Sequence, residues 1–371
     1  MMRIGITGGD GFIGWHLRCY LRTRSDVEEV RLADRQTFTV ADGLQNFVGG
    51  LDLVVHLAGE NRGDDIVLEK GNTLPAQQLI VALESVGAKP CVIVASSTHA
   101  EDPVTVYGRA KAQVVAAFDA WAQRGGSRVL TLVLPHVFGE YGRPYYNSAV
   151  ATFCHQIARG EEPAIKGNGQ LELIHVQDLA EHMISLYLER ASGLFKIDGV
   201  PIGVREVADK LIDLHDIYVN RHEFPDLSSP FDRALFNALR AAIPDEQRMV
   251  APDRHSDSRG WLVETVKANS GGQCFVSTTK AGITRGNHFH RRKVERFFVL
   301  QGMARIQLRK LFSDAVISFE LDGGAPSYVD IPTLHTHSIT NVGVDELITL
   351  FWADEFFDAE SPDTYFEEVV K

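Results

Sequence analysis

Ile4-Gly-Ile-Thr7-Gly8-Gly9-Asp10-Gly11-Phe12-Ile13-Gly14 is the stretch whose reading decides the fold. Short apolar residues up to Ile6 predict a buried parallel strand, Thr7 to Asp10 a tight turn, and Gly11 to about Arg22 the helix behind it. Gly8 suits the sharp turn, Gly11 lets backbone approach a pyrophosphate, and Gly14 lets helix and strand pack closely, with phosphate charge facing the helix N-terminus. Val30-Arg-Leu-Ala-Asp34-Arg35 follows as a second short strand, ending in an acid 20 residues beyond Gly14. Strand, turn, helix and strand in that order mark a nucleotide-binding entrance.

Working outward, Leu51-Asp-Leu-Val-Val-His-Leu57-Ala58-Gly59 is an apolar run closed by small residues, as expected of a central strand buried on both faces. Asn72 to about Val86 reads as a helix, and Pro90 to Ser97 as a strand ending in hydroxyls. Tyr107-Gly-Arg-Ala-Lys111 opens a helix to about Gln123, and Arg128 to Pro135 is another buried strand. This alternation predicts a Rossmann-type, doubly wound α/β parallel sheet. Further helices are expected from Asn147 to about Arg159 and from about Ile174, and a mostly helical, substrate-side lobe from Pro201 to about Pro244. A linker rich in proline, acid and arginine follows at 246–256. From 257 to 371 the texture changes to short alternating strands punctuated by glycine, such as Cys274 to Thr279, Ala304 to Leu308 and Tyr328 to Ile331. That predicts an all-β barrel or sandwich behind an α/β domain at 1–245.

A chain of 371 residues with 44% hydrophobic residues has room for two to three cores. Its net charge of −12 argues against nucleic acid or an anionic membrane as partner. Cys19, Cys91, Cys154 and Cys274 are far apart without metal spacing, as expected of reduced thiols in a cytoplasmic protein. The first strand starts by Arg3, so no signal peptide is expected, and no apolar run approaches a membrane span.

Ser97, Tyr107 and Lys111 carry the chemistry of the first domain. A tyrosine and a lysine four apart share a helix face, so the ammonium can sit near the phenol and make it a usable proton donor. A strand-end hydroxyl can bond the same carbonyl oxygen, leaving the carbon open to hydride from a nicotinamide. Together with His56-Leu57-Ala58-Gly59, Asn72, Phe138-Gly139 and His175-Val-Gln-Asp178, this part of the chain resembles the extended short-chain dehydrogenase/reductase family, whose members act on nucleotide sugars. The resemblance places the cofactor against Gly8, Gly11, Phe12, Ile13, Leu57, Ala58, Tyr107, Lys111 and Pro135. Asp34 would favour NADH by bonding a ribose 2′-hydroxyl, whereas Arg35 could pair with the 2′-phosphate of NADPH; NADPH is expected, with NADH open.

In the second domain His288 and His290 alternate on a strand and face one side, and Glu295 can return beside them after a turn. Pro332-Thr-Leu-His335-Thr-His337-Ser-Ile-Thr-Asn341 adds further imidazole, so zinc (Zn2+) or another divalent metal is expected. The spacing from Gly282 through His288, His290 and Glu295 to Gly302 resembles the first signature of the cupin superfamily, and Pro332 to Asn341 the second, with Leu334 where glycine is common. Alignment implies His337 as the fourth ligand, with His335 as competitor. Asp257-Ser-Arg259-Gly260-Trp261-Leu-Val-Glu264 resembles the first strand of nucleotide-sugar 3,5-epimerases of the cupin class, which implies substrate contacts for Arg259 and Glu264.

Nearly the whole chain, including Asn147 to Cys154, Gly286-Asn-His288 and Pro362-Asp-Thr-Tyr-Phe366, resembles the bifunctional capsular polysaccharide synthesis enzymes of the CapF family. The resemblance implies a UDP-sugar substrate, a UDP-2-acetamido-2,6-dideoxy-4-hexulose on the route to UDP-N-acetyl-L-fucosamine. The cupin would epimerise C3, and the reductase domain would then reduce the C4 ketone. His136, where the family usually has asparagine, and Asn147 are placed at the substrate. His335, Tyr328 and Lys293 are the candidates for the cupin base, and a homodimer is expected. Two alternatives stay open: an epimerase or dehydratase with tightly bound NAD, and a cupin that serves only for dimerisation.

Overall fold

The apolar runs around the glycine turn fold as a parallel sheet. In chain order its region contains β1 (Met2–Thr7), α1 (Phe12–Leu21), β2 (Val27–Ala33), α2 (Gly43–Val48), β3 (Leu53–His56), α3 (Asp65–Ser85), β4 (Cys91–Ser97), α4 (Val106–Gly125) and β5 (Val129–Leu134). β6 (His136–Phe138), α5 (Ala149–Ile157), β7 (Gln170–His175), α6 (Val176–Leu188), β8 (Gly193–Lys196) and β9 (Val200–Gly203) follow. The computed structural model describes residues 1–371 other than Gly126, Lys166, Asn168, Arg259 and Lys371. The parallel sheet has the order β2-β1-β3-β4-β5-β8, so the direction of winding reverses between β1 and β3, beside the glycine turn. Every residue of β3 and β5 is buried, as strands covered on both faces require. One face packs Ile4, Ile6, Val55 and Leu132 against Leu17, Leu179 and Met183; the other packs Val54, Val92 and Val94 against Leu79, Leu83 and Phe118.

Helix α3 starts earlier than expected, at Asp65, because Asp64 caps it by accepting the Val67 N–H at 2.8 Å. Asn72 therefore lies inside the helix, where its amide donates to the carbonyls of Glu60 at 2.6 Å and Leu68 at 2.7 Å and ties the loop after β3 to α3. The small sheet β6-β7-β9 lies outside the sequence reading: β6 and β9 have three and four residues, too few to carry a pattern, and the six residues of β7 end at His175, inside the helix expected from about Ile174, which starts at Val176.

The remaining elements are α7 (Val204–His215), α8 (Pro230–Ala242), β10 (Met249–Val250), β11 (Arg254–Asp257), β12 (Gly260–Val263), β13 (Gln273–Thr279), β14 (Thr284–Phe289) and β15 (Glu295–Gln301). They end with β16 (Met303–Lys310), β17 (Val316–Asp322), β18 (Tyr328–Ile331), β19 (His335–Asn341), β20 (Leu347–Ala353) and β21 (Tyr365–Phe366). Two five-stranded sheets, β10-β18-β15-β20-β13 and β17-β16-β19-β14-β21, are antiparallel throughout. Phe297, Val299, Val329 and Phe351 from the first sheet and Ile306, Leu308, Leu321 and Ile339 from the second share one core. β11 and β12 form a separate hairpin.

By compactness the chain divides into Met1–Phe138, Tyr145–Ser148 and Asn168–Val204 on one side and Gly139–Pro144, Ala149–Gly167 and Arg205–Lys371 on the other. The helical lobe that the sequence places before a boundary at 245 thus groups with the antiparallel sheets. The reason is the outer face of the β15 sheet, which carries large side chains that need cover. Phe224 stacks on Trp352 at 4.2 Å between centroids, and Tyr218 donates to Asp330 at 2.6 Å. In α8, Asn237 donates to the Arg292 carbonyl at 2.9 Å and Arg240 to that of Ile331 at 2.7 Å.

A Cβ on Gly14 would lie 2.3 Å from the Gly8 carbonyl oxygen and 2.7 Å from Gly9 Cα, so α1 and the glycine turn touch backbone to backbone. Gly14→Ala is expected to lower unfolding free energy by about 1–3 kcal/mol through overpacking. Denaturant unfolding checks this; an unchanged midpoint and slope would contradict the close approach.

Candidate active site and metal centre

Thr7 organises the cofactor end of the parallel sheet. Its Oγ1 accepts the N–H groups of Leu57 at 3.2 Å and Ala58 at 3.1 Å, and its own proton faces His56 Nδ1 at 2.9 Å. His56 is buried and pushed down to about 3 by burial and the nearby charge of Lys111, so it stays neutral. Gly8 has φ +70°, and a Cβ there would meet Ala58 N at 2.9 Å. Gly11, the N-cap of α1, places no side chain over the first turn, and a Cβ on it would meet Gly8 O at 3.2 Å. This narrow, uncapped helix start fits a dinucleotide pyrophosphate. Phe12, Ile13, Leu57, Ala58, Ser97, Tyr107, Lys111 and Pro135 are all half-buried at this end of the unit, the exposure expected of residues lining a crevice.

Ser97 closes β4 and accepts the His99 N–H at 3.4 Å. Gly108 lets α4 press against that turn, since a Cβ on it would lie 2.3 Å from the His99 carbonyl oxygen. The close approach sets Tyr107 beside Ser97. Burial raises the Tyr107 phenol above its ordinary value, and the hydrogen bond with Ser97 opposes the rise. Burial pushes Lys111 down to about 8. The chain alone therefore does not depress the phenol as expected from the Tyr-Lys spacing, because desolvation outweighs the Ser97 hydrogen bond.

Asp34 and Arg35 differ sharply in availability. Asp34 accepts the N–H of Thr37 at 2.8 Å and its hydroxyl at 2.7 Å, closing a turn after β2. The Arg35 side chain is 97% exposed and reaches Glu60 at 3.3 Å, a surface contact that costs little to exchange.

In the antiparallel sheets, one ligand atom from each of His288, His290, Glu295 and His337 lies within 4.8 Å of the others. A bulge between Gly286 and His288, with Asn287 at φ +57°, turns His288 opposite His337 on β19. β14 ends at Phe289, so His290 stands in the turn and Glu295 opens β15. His290 Nδ1 lies 2.5 Å from the Asp363 carbonyl oxygen and His337 Nδ1 3.2 Å from that of His335. These carbonyls keep the protons on Nδ1 and leave the Nε2 lone pairs facing inward. Glu295 Oε2 lies 2.8 Å from His290 Nε2 and 3.4 Å from His337 Nε2, yet all three buried atoms lack a hydrogen-bond partner. Without a cation, burial would raise Glu295, but protons on the nitrogens of His290 and His337 that face it outweigh burial and hold the carboxylate well below its usual range. Burial and the other imidazoles push His288 down to about 3. Converging, unpartnered electron-pair donors of this kind fit a first-row divalent cation.

His335 lies outside this group. Its Nδ1 is 3.2 Å from both the Tyr141 hydroxyl and the Thr333 carbonyl oxygen. Leu334 takes the left-handed conformation, φ +60°, that glycine would favour, and is held by its N–H to the His290 carbonyl at 2.8 Å. Of the other base candidates, Lys293 donates to the Pro362 carbonyl at 2.8 Å and Tyr328 lies 3.5 Å beneath the Arg296 guanidinium.

The expected substrate residues belong to different units. His136 and Asn147 are exposed in the parallel-sheet unit. Arg259 lies outside the described residues. Glu264 is exposed, pairs with Lys267 at 2.9 Å, and helps line a cavity of about 270 Å³ with Arg296 and Tyr328. Arg296 alternates with Glu295 along β15, so that cavity opens on the face turned away from the histidines. Thr7, Tyr141 and Asp363 have roles that single-residue motifs did not reveal, because their partners are far away in the chain.

Residues 4–196 match the NAD dependent epimerase/dehydratase family, and residues 255–365 match the polysaccharide biosynthesis C-terminal domain. A UDP-2-acetamido-2,6-beta-L-arabino-hexul-4-ose reductase of Pseudomonas aeruginosa is 32% identical over 371 residues, 98% of each chain. The crystal structure of the capsular polysaccharide assembling protein CapF from Staphylococcus aureus is similar with a TM-score of 0.62 and 30% identity, over 99% of this chain and 100% of that one. RMD from Pseudomonas aeruginosa, solved with NADPH, shares the fold with a TM-score of 0.52 and 21% identity, over 58% of this chain and 82% of that one.

Lys111 gives a pH signature. Its folded value of about 8 lies below the ordinary 10.5, so between those values the unfolded chain binds more protons and stability rises with pH. Lys111→Met removes the buried charge. Its stability relative to cofactor-free wild type is expected to be highest below about pH 8 and to decline towards about pH 10.5. Urea unfolding across that window measures the difference; a pH-independent difference would contradict it.

Proposed function

The chain belongs to the NAD dependent epimerase/dehydratase family, in the CapF-like branch with a polysaccharide-biosynthesis C-terminal domain, and on that premise we propose a two-step UDP-sugar enzyme. The substrate is a UDP-2-acetamido-2,6-dideoxy-4-hexulose, epimerised at C3 by the C-terminal domain, a cupin in this reading, and then reduced at C4 with NADPH towards UDP-N-acetyl-L-fucosamine. The observation that carries the reduction is Tyr107, bonded to Ser97 and one helical turn before Lys111. The P. aeruginosa relative, named as a reductase of a UDP-4-hexulose, supports the substrate class.

Tyr107 holds the proton that reaches O4, and Ser97 shares its hydrogen bond to orient that oxygen. Lys111 supplies a positive charge on the same side, which favours the phenolate left behind. Bound NADPH supplies hydride to C4. Gly8, Gly11 and the start of α1 would hold its pyrophosphate, and Arg35, freer than Asp34, would pair with the 2′-phosphate.

A C4 ketone acidifies the C3 proton, so inversion through an enolate must precede reduction, which removes that acidity. His288, His290, Glu295 and His337 would hold a divalent cation. When bound, such an ion supplies positive charge near the oxygen on which negative charge develops.

Tyr107→Phe is expected to lower 4-ketosugar-dependent NADPH oxidation by about 10²–10⁴-fold at saturating NADPH. Arg35→Ala is expected to raise KM for NADPH and leave that for NADH unchanged. Absorbance assays with a UDP-4-keto-6-deoxy-HexNAc test both; no NADPH oxidation by wild type with any such sugar sinks the proposal.

A further inference from the structure

We propose that Asp363 is a positioning residue for the metal centre, setting the separation and orientation of His290 and Glu295, so that the C-terminal segment 362–366 is part of that centre. The inference rests on the reading of the His288, His290, Glu295, His337 group as a divalent-cation site. His290 and Glu295 are joined by Arg291-Arg-Lys-Val294, a turn with four consecutive N–H groups outside any strand ladder. The Asp363 carboxylate accepts three of them, from Arg291 at 3.1 Å, Arg292 at 2.9 Å and Lys293 at 2.9 Å. Asp354 accepts the fourth, from Val294 at 2.8 Å.

The same residue acts on the ligand itself, because its backbone carbonyl faces His290 Nδ1 at 2.5 Å and so fixes which nitrogen keeps its lone pair for a cation. To present carboxylate and carbonyl to one turn, Asp363 takes φ +45° and is 1% exposed. A non-glycine residue in that region persists only where its surroundings determine it. Those surroundings are the clasp of Lys293 Nζ on the Pro362 carbonyl at 2.8 Å and the pairing of β21 with β14, which sets Phe366 opposite His288. The segment therefore touches the turn between two ligands and runs beside a third.

An ionised carboxylate is suited to this place because it accepts on both oxygens. Asparagine tolerates the left-handed backbone and keeps the carbonyl, but it presents NH2 to N–H groups that need an acceptor. Asp363→Asn thus separates the carboxylate from the backbone conformation. In full-length protein stripped of metal, Zn2+ affinity is measured by chelator competition, the ligand-field spectrum with Co2+, and NADPH binding as the check on the parallel-sheet unit. The expected result is a Zn2+ affinity lowered about 10–100-fold and an altered Co2+ spectrum, with NADPH binding unchanged. Asp363→Glu, which retains the charge on a longer arm, is expected to fall between the two and serves where the asparagine variant does not fold. Wild-type Zn2+ affinity and Co2+ spectrum in the variants would overturn the inference while leaving the metal site standing. Failure of the wild type to bind one metal per chain would overturn the metal reading itself.

Discussion

Asp330 and Arg296 face each other across β18 and β15, both buried, with two hydrogen bonds of 2.7 and 2.8 Å. Removing one partner of such a pair costs about 3–5 kcal/mol, because the other is left charged and dry. The pair explains much of the C-terminal unit. Tyr218 adds its hydroxyl to Asp330, and Phe224 lies 4.5 Å below the Arg296 guanidinium, so the segment before α8 is drawn onto the sheet. On the opposite face of the same strand stand Glu295 and Phe297, at the histidines and in the core. Side-chain alternation along β15 thus gives one face to scaffold and the other to the core and the candidate ligand Glu295.

The candidate metal site and the scaffold also differ in how their buried polar atoms are satisfied. Arg296 spends its donors on Asp330 and the Thr265 carbonyl. At His290 and His337 the Nδ1 atoms are satisfied and the Nε2 atoms are not, which is how a site suited to a cation differs from a closed network. The parallel-sheet unit shows the same economy at Thr7, whose hydroxyl ties two backbone amides to a histidine held neutral.

The glycine turn and the parallel strands were legible because backbone geometry there dictates residue type: Gly8 needs a positive φ and Gly14 a missing Cβ. The four candidate ligands, His288, His290, Glu295 and His337, were proposed from their spacing, and one atom of each lies within 4.8 Å of the others. The grouping of 205–244 with the antiparallel sheets was not, because it depends on which residues occupy the outer face of strands far along the chain. Asp363 was hidden for the same reason. Glu264, whose local pattern resembles a substrate-binding strand, lines a cavity with Arg296 and Tyr328, and that placement too depends on strands far along the chain.

The central claim is that one chain carries two separable reactions, proton exchange at C3 and reduction at C4. Incubating the metal-loaded enzyme with the UDP-4-hexulose in D2O, first without and then with NADPH, tests it most directly by NMR. The account predicts deuterium at C3 without reduction in the first stage, and a C4-reduced sugar that retains that deuterium in the second. A reduced product with only protium at C3 would contradict it.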